Sequence, residues 1–358
     1  MALFGNPSIR SVLGAIIGVL GLFLVGQLAS GLFGAVERNS AAQKVERYAG
    51  TDQQLFTALL GFRIERGTFL SALVAEEPAN SAADDRIAAN RQTSEAAYKS
   101  VLERLDGVSD SRLAGLLGKL VALHDALMPL RTKAEGLIHQ PKAARDTKLA
   151  DEFRKTAADY LDAILALTVD LENALKLTDP VVDHLLGVKQ SAWAARNFGG
   201  LIAIRLEAAG AAAKPWTAQD IVGAAEDGGR AKQAWSQVQD AASRADAPAS
   251  LTDVIARSKA GDAVAMVERQ QGLIKALSNN QTIDIKGVEL AKLNTAILNF
   301  YVEAGQAALA EMVARAGQQK TAAIWSLAFN GAMMLVALAI TVFGFILVRS
   351  RVSTRSAS

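Results

Sequence analysis

Two stretches of this 358-residue chain place arginines where a helix has little use for them. In "GFRIERGTFL" (61–70), Arg63 and Arg66 interrupt a run whose apolar residues recur at helical spacing. Val45, Tyr48, Leu55, Leu59 and Phe62 define a stripe that Arg66 continues. A charge on that stripe must find a partner or reach water. Gly67 follows directly, although glycine costs a helix interior about 1 kcal/mol relative to alanine. In "AARNFGGLIA" (194–203) the spacing returns: Arg196 is followed four residues later by Gly200, as Arg63 is by Gly67. Such side chains suit oxyanion recognition. A guanidinium presents paired, coplanar donors, and an anion held between two of them relieves their mutual repulsion.

Plainer roles stay open for the same residues. Arg63 and Arg196 can lie at the edge of apolar faces and extend to water, and Arg66 can pair internally with a carboxylate such as Asp52. Trp193 can be core packing, with the glycines serving close helix contact. Catalytic chemistry has less to stand on. There is no cysteine, and His124, His139 and His184 have no partner at the i+3 or i+4 spacing of a zinc site. No G-x-S-x-G, P-loop or G-x-G-x-x-G is present. No catalytic residue, metal or cofactor is assigned, and no enzymatic activity is expected.

The elements that must position these arginines are bracketed by two apolar segments. Residues 11–36 and 322–348 carry no charged side chain, and about 20 apolar residues suffice to cross a bilayer core. The first is longer than a signal peptide's apolar region and is expected to remain as an uncleaved helix. Basic residues near the spans set orientation. Arg10 precedes the first, and Arg349, Arg351 and Arg355 follow the second. Both termini are therefore expected in the cytoplasm, with residues 37–320 outside a bacterial inner membrane. All 36 acidic residues and 34 of the 38 basic ones fall in 37–320, a formal charge of −2. So balanced a segment does not favour a nucleic-acid partner.

Between the spans, short breaks at 75–82, 106–110, 139–146, 177–180, 211–220, 245–250 and 278–284 separate helical runs. Leu290, Leu293, Ile297, Phe300, Ala304, Ala308 and Met312 form one three-four seam. Asp179-Pro180 reads as a helix start, and Thr217 with Asp220 as a near capping box. The expected fold is all-α. "AEGLI" (134–138) answers "QQGLI" (270–274), Tyr98 answers Trp235, and "YLDAILALTVDLENA" (160–174) answers "YVEAGQAALAEMVAR" (301–315). These matches stay in order and predict a duplication: two four-helix bundles, 37–176 and 177–320. The remaining divisions are a cytoplasmic N-terminus (1–10), the spans (11–36 and 322–348) and a cytoplasmic tail (349–358). The first and last helices of the exported part are expected to run on into the spans.

The stretches "LFTALLGFRIERGTFLSAL" (55–73) and "KLTDPVVDHLLGVKQSAWAARNFGG" (176–200) resemble the sensory halves of methyl-accepting chemotaxis proteins of alphaproteobacterial type. The wider architecture is similar to helical bimodular and nitrate/nitrite-sensing domains. The resemblance covers roughly residues 1–348. It implies a membrane-bound sensor that binds a small ligand, such as nitrate or an organic acid, and signals through its spans. Carried onto this sequence, it implies a ligand site of Arg63, Arg66 and Arg196, with Trp193, Gly67 and Gly200 beside them. It also implies a homodimer, for which Gly14, Gly18 and Gly21 in the first span permit close helix approach. The family continues into a HAMP linker and a cytoplasmic signalling hairpin. Here ten residues follow Val348, so that module is expected either further along a longer chain or in a separate partner. A membrane-tethered scaffold that docks another envelope protein is the competing expectation, and it predicts scattered arginines.

Overall fold

The structure, a computed structural model, describes residues 9–353, with side chains described for 11–348. Arg10, Arg349, Arg351 and Arg355, on which the expected orientation rests, lie outside the residues with described side chains. Among the described residues the fold is all-helical, with nine α-helices: α1 (Ile9–Val74), α2 (Ser81–Leu105), α3 (Ser111–Ile138), α4 (Thr147–Leu175), α5 (Pro180–Ala212), α6 (Ala218–Ala242), α7 (Ala249–Ser258), α8 (Gly261–Ser278) and α9 (Gly287–Ser353). Seven of the eight junctions between them follow the breaks read from the sequence. The exception is the interruption at Lys259 and Ala260, which divides one expected helix into α7 and α8.

Local chemistry explains the boundaries. Asn80, Asp110, Asp146 and Asp179 accept backbone N–H groups at the starts of α2, α3, α4 and α5. Pro180 occupies the first turn of α5, and Thr217 with Asp220 completes a capping box on α6. The turn joining α4 to α5 forces Leu177 to a φ of 63°. The Asp183 carboxylate accepts the Leu177 N–H at 2.9 Å, which holds this unfavourable turn in place.

The chain divides into two compact units. One comprises the described residues up to Glu46 with those from Arg315 onward, and the other is Arg47–Ala314. In the first, α1 and α9 pack antiparallel. Gly14 and Gly18 face Phe345, Gly31 faces Asn330, and Lys320 pairs with Glu46 at 3.0 Å. A Cβ at Gly21 would sit 2.8 Å from the Thr341 side chain, so no larger residue fits there without displacement. The glycine stripe expected to admit a second copy of the chain is thus occupied by α9 of the same chain. Leu22, Phe23, Trp325 and Phe329 point outward and are largely exposed, as lipid-facing side chains of a spanning pair would be.

In the second unit, α1, α4, α5 and α9 form a central quartet. Phe62 meets Tyr160, and Phe69 meets Phe153, in edge-on ring contacts between α1 and α4. Phe56 of α1 touches Trp193 of α5 and approaches Gly305 of α9. On one side α2 and α3 complete a core containing Phe62, Phe69, Leu120 and Phe153, each fully buried. On the other side α6 and α8 complete a smaller core around Leu206, Trp216, Leu277 and Leu290. Six residues of the predicted α9 seam are buried, and Phe300 is half-buried. Each large buried side chain contributes about 2 kcal/mol of apolar transfer.

Among the described residues, three helices are long and apolar enough to cross a membrane: α1, α3 and α9. The sequence reading singled out two. In α3, Leu113, Leu120, Leu127 and Leu137 are buried inside the second unit, beside the charged Arg131. Its apolarity is used within the protein, whereas α1 and α9 expose theirs.

Candidate functional site

The arginines singled out by spacing come together where α1 passes α5. The guanidinium of Arg63 lies 4.9 Å from the centre of the Trp193 ring, and that of Arg196 lies 5.8 Å from the same ring. Both distances are within cation–π range. Trp193 therefore holds one cation from α1 and one from α5. Arg63 donates from Nη1 to Asn197 Oδ1 at 3.2 Å, a neutral partner that leaves its charge uncompensated. Arg66, one turn further along α1, is half-buried, as is Arg196. Neither forms a hydrogen bond or ion pair with another described residue, and the Nε of each is enclosed with no acceptor.

Electrostatics follow from this crowding. Burial first, then the Arg196 and Arg66 charges, push the Arg63 guanidinium down to about 10. Asp162 on α4 acts in the opposite direction. Arg66 is lowered by burial and then by Arg154 of α4, again with Asp162 opposing. Arg196 is lowered by burial. Arg154 is itself engaged by Asp151. Four arginines thus share one neighbourhood with two carboxylates, and two of the four have an enclosed Nε that no described residue accepts from.

The two glycines of the expected site sit differently. Nothing lies within 4 Å of a Cβ built at Gly67, which is exposed. At Gly200 only the Arg196 guanidinium does, at 3.5 Å. The close approach occurs one residue earlier. A Cβ at Gly199 would stand 3.0 Å from Leu298 and 3.3 Å from Tyr301, so Gly199 is what lets α9 lie against α5.

Two buried charge clusters were not foreseen. Glu65, next to Arg66, is fully buried and accepts from Arg131 at 2.8 Å and Arg91 at 3.0 Å. Arg131 also grips Glu95, which meets His124 Nε2 at 2.8 Å. Across the α1–α5 contact, Lys189 donates to Asp52 at 3.0 Å and to Glu172. Asp52 is therefore the partner of Lys189, and Arg66 does not have it. A helical-phase count could have found Glu65, because it lies three residues after the buried Phe62 and four before the buried Phe69.

A separate cavity of about 710 Å³ lies in the α5–α9 half. Its walls include Gly199, Gly228, Trp235, Val267, Gln270 and Tyr301.

Comparison with family models, with curated proteins and with solved structures finds no match. Function has to be read from the geometry.

Proposed function

We propose that this protein is a membrane-bound sensor of chemoreceptor type whose helical unit binds a small anion at Arg63, Arg66 and Arg196. The observation that carries this reading is the gathering of Arg63 and Arg196 over Trp193 with Arg66 one turn away, the Nε of Arg66 and of Arg196 being enclosed without an acceptor. An unpaired buried cation is costly, and a protein that keeps several together gains most when an anion completes them. Nitrate or a small carboxylate has the planar oxygen geometry these forks accept. Arginines scattered over the surface, as a docking scaffold would have, do not have this arrangement.

Signalling in this reading runs along α1, which carries Arg63 and Arg66 and is unbroken from Ile9 to Val74. Drawing Arg63 and Arg196 toward one anion shifts α1 against α5, and such helix shifts are a recurrent switching motion. The topology we propose has both termini in the cytoplasm of a bacterial cell and residues 37–320 in the periplasm. A homodimer works with a cytoplasmic HAMP-type signalling module.

The test is thermal unfolding of the full chain in lipid nanodiscs, in chloride-free buffer, against nitrate, nitrite, acetate and larger carboxylates. A specific anion at 100 times its Kd is expected to add about 2.7 kcal/mol. Arg196→Met should abolish that gain while leaving the anion-free protein equally or more stable, because it removes an uncompensated charge. Flat curves across the whole panel would end the anion-sensing reading.

A further inference from the structure

The two halves of the helical unit differ in what fills them. Laying Tyr98 on Trp235 places Arg91 on Gly228 and Glu95 on Lys232. Laying "AEGLI" (134–138) on "QQGLI" (270–274) places Arg131 on Val267 and Glu135 on Gln271. In the first half these positions tie α2 to α3: Arg91 pairs with Glu135 at 2.7 Å, and Arg131 pairs with Glu95. In the second half each of those pairs is gone. The long side chains are replaced by a glycine and a valine, and the 710 Å³ cavity opens among α5, α6, α8 and α9. That volume lies within the range of small-molecule sites.

The polar groups left in the cavity are set for a ligand. Lys232, at the position of a residue that is paired in the first half, has no ion pair among the described residues and lines the opening. Gln270 is only 9% exposed, and its orientation is fixed from behind. The Glu207 carboxylate accepts from Asn294 Nδ2 at 3.0 Å, which turns Asn294 Oδ1 toward Gln270 Nε2 at 2.9 Å. Both amide orientations are thereby determined, and Gln270, on the cavity wall, accepts no hydrogen bond at Oε1 from any described residue, so that oxygen is open to a ligand. Glu268, exposed and without an ion pair among the described residues, adds a carboxylate to the lining. Trp235 and Tyr301, in edge-on contact at 4.8 Å, form an aromatic wall.

We propose that this cavity is a second ligand site, for a zwitterionic amino acid with an aromatic or large aliphatic side chain. Lys232 takes the carboxylate, Gln270 Oε1 and Glu268 take the ammonium, and Trp235 and Tyr301 pack the side chain. A ligand carrying only one of these charges leaves Lys232 or Gln270 without its partner. The site is separate from the arginine cluster and does not depend on it.

The experiment uses the full chain in lipid nanodiscs and titrates L-phenylalanine, followed by calorimetry and thermal unfolding. 3-Phenylpropionate and phenethylamine serve as single-charge controls. Phenylalanine is expected to bind and raise the Tm, and each control to bind at least tenfold more weakly. Gly228→Leu should fill the cavity and abolish phenylalanine binding with its own Tm unchanged or higher, since a Cβ there meets only Ile202 at 3.8 Å. Lys232→Gln should weaken phenylalanine but not phenethylamine. Absence of phenylalanine binding, binding that survives Gly228→Leu, or controls that bind as tightly as phenylalanine would each overturn the proposal. Nitrate-induced stabilisation, tested in parallel on Gly228→Leu, reads the arginine cluster alone and keeps the two sites distinguishable.

Discussion

Replacing Arg131 with methionine is expected to destabilise the helical unit by about 3–5 kcal/mol, the cost of breaking a buried ion pair from one side. Arg131 is 1% exposed and bridges two carboxylates, Glu65 and Glu95. Methionine fits the space but leaves Glu65, already raised by its burial, with Arg91 as its only cation. For a unit of this size the loss lowers the Tm by about 10 °C. The effect should depend on pH in a definite direction. Burial raises the Glu95 carboxyl, but the His124 and Arg131 bonds outweigh it and hold the group at about 2. A carboxyl lowered on folding adds stability above its ordinary pKa and loses it as pH falls through the folded value. Parent and variant curves should therefore converge between about pH 4.5 and pH 2. The decisive comparison adds Glu65→Met and Glu95→Gln to Arg131→Met. If buried charge is the cause, the triple variant recovers much of the loss. A single-variant change under about 1 kcal/mol would mean that the cluster is open to water.

The helix boundaries were legible because their signals are local. Asp179-Pro180 and Thr217-Asp220 cap the helices they were expected to cap, and the α9 seam turns inward as its three-four spacing requires. The break between α7 and α8 was not legible, since neither helix carries a side-chain cap at its start. Among the site residues, Arg63, Arg196 and Trp193 are brought together; a shared spacing within two similar stretches was enough to single out the two arginines, whereas Trp193 followed only from the resemblance. Gly67 was chosen by the same spacing but faces open space, because an i+4 relation fixes a helical face and not what stands opposite it. The buried networks escaped for a related reason. Glu65 draws on Arg91 and Arg131 from two other helices, and pairings across 26 and 66 residues leave no periodic trace. Gly14, Gly18 and Gly21 show the same limit. Small residues announce a close helix, but only the fold says that the helix is α9 of the same chain.

Lys189→Met is expected to cost a similar 3–5 kcal/mol at pH 7 or above, and markedly less at pH 5. Lys189 is 2% exposed and holds Asp52, fully buried, and Glu172 at the junction of α1, α4 and α5. Burial raises Asp52 to about 6 from an ordinary 3.8, with Lys189 partly opposing and the Glu172 charge adding to the rise. For a group raised on folding, the stabilising contribution is complete below the unfolded value and is lost as pH rises through the folded one. In the parent, Asp52 therefore favours the folded state by about 3 kcal/mol more below about pH 3 than above pH 7, at 1.36 kcal/mol per pKa unit. Removing Lys189 takes away the charge that holds Asp52 down, so the variant's Asp52 titrates higher still. At pH 5 the protonated Asp52 has no charge left to strand, and the deficit shrinks. Unfolding measured at pH 5, 7 and 9 separates this from simple loss of packing, which would shift all three curves equally. Because Asp52 lies on α1 and Lys189 on α5, the same variant loosens the two helices that carry Arg63 and Arg196. Anion-induced stabilisation in Lys189→Met should weaken with the same pH profile, reappearing toward pH 5 as Asp52 takes up its proton.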